Sequence, residues 1–411
     1  MSTTGGFKKN VLSLYAVQGL QYLGSLLVLP ILVRQLGSYE FGLLAFWQSL
    51  IGGLGIIIDY GFSYSAVRSL SKDDLSAENI GKIYFTTLSA RLALLLPATM
   101  LLLLISRYLG SEHRDFTLQW LGLMMLFGIA LSPAWYLAGM KKNTPLAYAS
   151  TASLILVVIL TWIFVRGPNA LHIAAAIQFS APLLTAACAH LMVARYARPC
   201  ATKIKVADVI KALRDGAALF LISASSGLYS SLNPFLLGLV TASPQVAFFS
   251  MAERLVRGAR GLLNPLMAAI FPYSASQDKS DTRDALLKRS SQFLLASSAI
   301  LATSLFFCAP WIFRIFFGGE YETARIVTQI LSINVVLVTI SNLLGVQNLI
   351  AKGKDRHVTY ITVVAVPIHV FAILLFGRMF GAVGAASAYL VTEAGVTLFI
   401  GFSAFKLRET A

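Results

Sequence analysis

The sequence predicts an all-α integral membrane protein with twelve transmembrane helices in two halves of six, and three observations predict it. Of 411 residues 57% are apolar and only 12% are charged, about half the charged share of a soluble domain. Mean hydropathy is +0.74. Apolar runs of roughly 20 residues, enough to carry a helix across a ~30 Å hydrocarbon core, recur along the whole chain.

The first span, 11–33, follows Lys8 and Lys9. Its apolar run is too long for a signal-peptide core and lacks a clear cleavage site, so it is expected to remain as a helix. Spans two to six fall at 42–64, 83–105, 118–138, 146–165 and 171–193. The longest polar stretch, 195–216, then divides the chain into residues 1–200 as an N-terminal lobe, 201–216 as a linker and 217–411 as a C-terminal lobe. In the second half of that stretch, Ile204, Val209, Ile210 and Leu213 gather near one helical face, which reads either as an amphipathic helix along the membrane surface or as plain linker. Spans seven to twelve fall at 217–240, 246–273, 293–313, 326–350, 358–376 and 381–405. An even number per half implies a parallel repeat about an axis along the membrane normal.

The eighth span is the weakest by hydropathy, because Glu253, Arg254, Arg257 and Arg260 interrupt it. Charge distribution supports keeping it. With twelve spans, the side that holds both termini carries 22 Lys and Arg, the opposite side carries 7, and four arginines lie within spans. Without the eighth span the later loops change sides and the asymmetry largely disappears. Positive charge stays cytoplasmic during insertion, so both termini are expected inside. The net charge of +15 follows mostly from this sidedness, since the inner loops hold 22 basic against 10 acidic residues, and no nucleic-acid partner is expected. Arg195, Arg198, Lys203, Lys205, Lys211 and Arg214 would meet the anionic inner leaflet, where each charge is worth about 1 kcal/mol of attraction.

No arrangement for covalent chemistry, phosphate-loop binding or metal ligation is found, and no cofactor or metal is expected. Asp73 and Asp74 read as solvated loop residues, and Cys188, Cys200 and Cys308 as structural. The informative groups are the ionisable ones within spans: Asp59, Arg91, Glu253, Arg254, Arg257, Arg260 and Glu393. Each costs about 2.5 to 3.5 kcal/mol at a helix centre, so they are expected to face a polar interior. Asp59 and Arg91 sit near enough to span ends to snorkel in part. Arg257, Arg260 and Glu393 are roughly 16 to 21 Å from the nearer span start counted from Val246 or Gly381, at 1.5 Å per residue. Glu253, Arg257 and Arg260 share a face by their i, i+4, i+7 spacing, and Glu253 can pair with Arg257. Two readings stay open, a structural ion pair and the wall of a polar cavity for an anion, which guanidinium binds through a planar fork of donors.

Four short motifs lie in order along the chain. "RQLGSYEFGLLAF" carries Arg34, Leu36, Gly37, Phe41 and Gly42; "PAWYLAGMKK" carries Pro133, Trp135, Tyr136, Gly139 and Lys142; residues 246–275 carry Glu253, Arg254, Arg257, Pro265, Phe271 and Pro272; and "GAVGAASAYLVTE" runs from Gly381 to Glu393. Together they resemble the Wzx-type polysaccharide flippases of the multidrug/oligosaccharidyl-lipid/polysaccharide (MOP) exporter superfamily, over nearly the whole chain. The resemblance implies a MATE-like fold, two six-helix lobes around a central cavity. It also implies translocation of undecaprenyl-diphosphate-linked oligosaccharide from the cytoplasmic to the periplasmic leaflet of a bacterial inner membrane, for O-antigen or exopolysaccharide assembly. A polysaccharide polymerase and a chain-length regulator are the partners it suggests beyond the bilayer and the lipid-linked substrate. On that reading Arg91, Arg254, Arg257 and Arg260 are cavity candidates, and Asp59, Glu253 and Glu393 are candidates for proton or sodium coupling. A multidrug antiporter of the same fold would need acidic rather than basic groups for its cations, and the four intramembrane arginines argue against it. A polymerase or glycosyltransferase would carry a long catalytic loop, whereas the longest outer loop is the short one near Ser106 to Thr117.

Overall fold

The computed structural model describes residues 3–71, 75–275, 281–318, 321–352 and 354–409; Asp73 and Asp74 lie outside them. Every regular element among the described residues is helical. They fall into two compact units, residues 31–238 and residues 1–30 with 239–411.

The chain opens with α1 (Thr3–Asp59), which Gly37 breaks at φ 74° and ψ 177°, a conformation that glycine reaches at little cost because it has no Cβ. The break separates the first two sequence-predicted spans. Tyr60 and Gly61, both at positive φ, then turn the chain into α2 (Phe62–Leu70). In the same unit follow α3 (Ala77–Tyr108), α4 (Phe116–Leu131), α5 (Ala134–Gly139), α6 (Asn143–Phe164), α7 (Leu171–Tyr196), α8 (Val206–Ser231) and α9 (Asn233–Gly238). Local chemistry starts several of them: the Ser76 hydroxyl accepts from Asn79 N–H ahead of α3, and the Asp115 carboxylate accepts from Leu118 N–H ahead of α4, each satisfying a donor that helix geometry leaves over. Helices α4 and α6 pack on α7, α5 packs on α2, and α8 packs on α2 and α3.

The other unit holds α10 (Ser243–Gly261), α11 (Asn264–Ala275), α12 (Asp281–Ile312), α13 (Glu322–Ser341) and α14 (Asp355–Glu409). Gly381, at φ 60° and ψ −138°, breaks α14 where the sequence divides spans eleven and twelve. Residues 342–349 extend α13 as a π-helix. There the Gln347 amide donates to the Met267 carbonyl on α11 at 2.9 Å and its oxygen accepts from Ser274 at 3.2 Å.

Two elements differ from the sequence expectation. The segment expected as a surface helix or a linker instead runs without a break into the seventh span as α8, because Val206–Ser231 contains neither proline nor a positive-φ glycine to stop it. The eighth span is two helices. It breaks at Leu262 and Leu263, just ahead of Pro265, whose missing N–H and fixed φ suit the first turn of a new helix better than the middle of an old one.

Eight helical runs among the described residues are long and apolar enough to cross a membrane. Two of these, of 45 and 51 residues, have more than twice the ~20 residues one crossing needs. The lateral surface inverts the soluble pattern, with Leu96, Met100, Phe307, Phe371, Leu398 and Phe399 all exposed. Exposed Tyr64, Tyr108, Trp120, Tyr148, Trp162, Tyr196, Trp311 and Tyr360 lie at or near the ends of the sequence-predicted spans. Amphipathic rings at span ends are what membrane–water interfaces select. The protein is a multi-pass membrane protein.

Candidate functional site: charged clusters on the spans

Helix α10 gathers most of the intramembrane charge. Glu253, 8% exposed, accepts from Arg257 at 3.1 Å across one helical turn, while the Arg257 side chain keeps 48% of its surface open. Arg254, half-buried, interacts electrostatically with Arg257 and Glu253. Arg260, one turn further, donates a hydrogen bond to the Tyr389 hydroxyl on the second half of α14, and Glu253 and Glu393 lie within electrostatic reach of that same hydroxyl. Glu393 is 5% exposed and accepts from the Ser341 hydroxyl at the end of α13 at 3.3 Å; Ser341 in turn shares a 2.6 Å hydrogen bond with Thr397. On the first half of α14, His369 sets its fully buried ring against Tyr389 at 5.4 Å between centroids.

Three guanidiniums and two carboxylates therefore occupy one network spanning α10, α13 and both halves of α14, with one positive charge in surplus. The helical spacing of 253, 257 and 260 is legible in the sequence. Tyr389, Ser341 and His369 are the members that sequence reasoning missed. Tyr389 stands one turn before Glu393, and His369 lies eleven residues into span eleven, so both carried a positional signal.

In the other unit, Asp59 and Arg91 come together. Arg91, 4% exposed, reaches Asp59 at 3.4 Å and donates to the Ile129 carbonyl at 2.7 Å, and Ser63 donates to Asp59 at 2.7 Å. The guanidinium thus ties the end of α1 to the C-terminal turn of α4, where helix-end carbonyls favour a cation. The aromatic motif is also packed here. Pro133 stands at the start of α5, Trp135 and Tyr136 lie 5.9 and 4.7 Å from the Tyr84 ring, Gly139 lets α5 approach Leu70 closely, and Lys142 is exposed. Among the described residues no group of His, Cys, Asp and Glu could hold a metal ion. The arrangement can bind and exchange charge.

Long apolar crossings, glycine-broken helices and a buried charged network define a polytopic α-helical protein of the transporter type. Residues 7–278, about two thirds of the chain, match the family described as "Polysaccharide biosynthesis protein", and the chain belongs to that family. A protein of Escherichia coli (strain K12) named as a candidate O-antigen transporter is 27% identical over 392 residues, 95% of this chain and 94% of that one. Among solved structures, the lipid II flippase MurJ in an inward closed conformation superposes with a TM-score of 0.75 at 12% identity, covering 95% of this chain and 86% of that one. An inward-facing multidrug resistance transporter of the MATE family and the MOP superfamily superposes with a TM-score of 0.65 at 16% identity, covering 97% and 96%. The expected family resemblance and the MATE-like fold are both borne out.

Proposed function

We propose that this protein is a flippase carrying undecaprenyl-diphosphate-linked oligosaccharide from the cytoplasmic to the periplasmic leaflet, for O-antigen or exopolysaccharide assembly, by alternating access of two six-helix lobes. Family membership, the O-antigen name of the relative and the fold shared with a lipid-linked flippase support that reading. The observation that carries it is the row of Arg254, Arg257 and Arg260 on one helix with a surplus of positive charge. A diphosphate offers the planar oxygen pairs that guanidinium binds bidentately, while the polyprenyl tail stays in lipid. We assign Glu253 and Glu393 to cation coupling. Arg91 and Asp59 we assign to holding α1 on α4, because both are engaged with each other and with neighbouring backbone or hydroxyl groups.

The test is complementation of a flippase-deleted host with Arg257→Ala and Arg260→Ala, reading surface polysaccharide and membrane abundance together. Loss of one guanidinium should remove about 1.5 to 3 kcal/mol of anion binding, roughly ten- to a hundredfold in affinity, with partial rescue by Lys, which supplies charge without the fork. Tyr389→Phe separates roles, since it removes the partner of Arg260 and keeps the charge. Export that falls as far in Tyr389→Phe as in Arg260→Ala would make Arg260 a helix tie. Recovery of abundance and export in Glu253→Gln with Arg257→Ala would make Arg257 one too.

A further inference from the structure

The motif around Trp135 and Tyr136 takes no part in the charged network, yet it backs a pocket. A cavity of about 760 Å³ opens between α3, α5, α7 and the first residues of the loop after α7. Its walls are apolar, among them Ile80, Phe85, Met140 and Val193, and its polar groups are Tyr84, Tyr136, His190 and Arg198. No carboxylate is among the residues that line it. A neighbouring pocket of about 330 Å³ is lined instead by Lys82 and Lys211 with Asp208 and Asp215, so its charges balance.

The pocket is built rather than left over. Tyr136 donates to the Ala197 carbonyl at 2.7 Å, fastening the loop to α5. Thr202 donates to the Glu78 carbonyl at 3.3 Å, and the Cys200 carbonyl lies 2.1 Å from where a Cβ on Gly81 would stand, so only glycine allows the loop that close to α3. Inside, His190 Nε2 is 2.9 Å from the Leu131 carbonyl. A carbonyl only accepts, so Nε2 carries the proton and Nδ1 accepts from the Tyr84 hydroxyl at 3.2 Å. The Tyr84 oxygen retains a lone pair for a donor in the pocket.

We propose that this pocket binds an anionic phospholipid, with its phosphate on Arg198, a headgroup hydroxyl donating to Tyr84 and the upper acyl segments along the apolar wall. The volume lies within the range of ligand sites. Charge complementarity selects the occupant, because a guanidinium without a lining carboxylate favours an anion while the remaining wall favours hydrocarbon. The polar stretch that bears Arg198 carries six of the 22 basic residues of the side assigned to the cytoplasm, more than any other loop there, and anionic lipids concentrate at that leaflet. The site is separate from the charged network on α10.

Cys200 lines the pocket and is exposed, so it reports occupancy. The full-length protein carrying Cys308→Ser is placed in nanodiscs of phosphatidylcholine with or without phosphatidylglycerol, and the rate of maleimide labelling at Cys200 is measured. Both faces of a disc are open, so the readout requires neither transport nor the assigned sidedness. Labelling should slow about tenfold when phosphatidylglycerol is present at roughly ten times its dissociation constant, and Arg198→Gln should abolish most of the difference. Equal rates in the two discs, or protection that persists undiminished in Arg198→Gln, would overturn the site. Equal protection by free glycerol 3-phosphate in phosphatidylcholine discs would overturn the lipid as its occupant.

Discussion

Glu393 shows how far single residues can be read. Its depth within the last span follows from counting, but its surroundings do not: the Ser341 hydroxyl, and the Arg260 guanidinium that meets Tyr389 one turn away, come from other spans. A carboxylate this enclosed beside a guanidinium can exchange its charge with a bound anion or cation. Glu393→Gln is therefore expected to insert at normal abundance, to lower export several-fold and to flatten the dependence of export on external pH. Wild-type export across a pH series would remove Glu393 from coupling and leave it as a tie between α13 and α14. The same limit explains the Asp59 and Arg91 pair. Each was legible as a charge within a span, whereas their meeting depends on the turn at Tyr60 and Gly61 and on the Ile129 carbonyl at the end of α4, which no spacing rule encodes. Histidine was the group that sequence reasoning under-weighed. His369 and His190 are both ring-packed or hydrogen-bonded within spans.

At the scale of elements, hydropathy located the helices and misjudged their breaks and continuations. Gly37 falls between predicted spans and Gly381 opens the last one, because apolar runs stop near them. The break after Gly261 lies inside an apolar run and depends on Pro265, which the sequence offered as a member of the eighth-span motif and not as a helix break. Helix α8 reads as linker by polarity yet is continuous, and its first turns are clasped to α3: Asp208 accepts from Lys82 at 2.8 Å and from Lys205 N–H at 3.0 Å. The Lys82 ammonium, with the Lys205 backbone, holds the Asp208 carboxyl below the usual carboxylate range. Its folded pKa is depressed, so its contribution is complete above the ordinary carboxylate pKa of about 4 and is lost as pH falls through the lower folded value. Thermal unfolding in detergent should therefore show an acid-side loss of stability that Asp208→Asn reduces, while the two proteins keep a constant difference between pH 6 and 8. Parallel acid-side slopes would show that the clasp adds nothing.

For the whole molecule, the charge bias assigns 22 basic residues to one side and 7 to the other, and exposed aromatic rings lie near the ends of the predicted spans. Twelve crossings with both termini inside predict that an impermeant thiol reagent added to intact spheroplasts spares Cys200 and labels a cysteine introduced by Ser111→Cys. Labelling of Cys200 with sparing of position 111 would reverse the topology. The fold class and family were legible because composition, periodicity and four ordered motifs extend over the whole chain; the substrate was not, since it depends on which side chains converge. The direct test of the proposed function is flipping by the purified protein in proteoliposomes loaded with a fluorescent polyprenyl-diphosphate oligosaccharide, scored by quenching of label on the outer leaflet. Protein-dependent flipping that Arg257→Ala and Arg260→Ala each reduce about ten- to a hundredfold, at equal incorporation, is the expected result. Quenching identical to that of protein-free liposomes, from protein that remains folded, would contradict it.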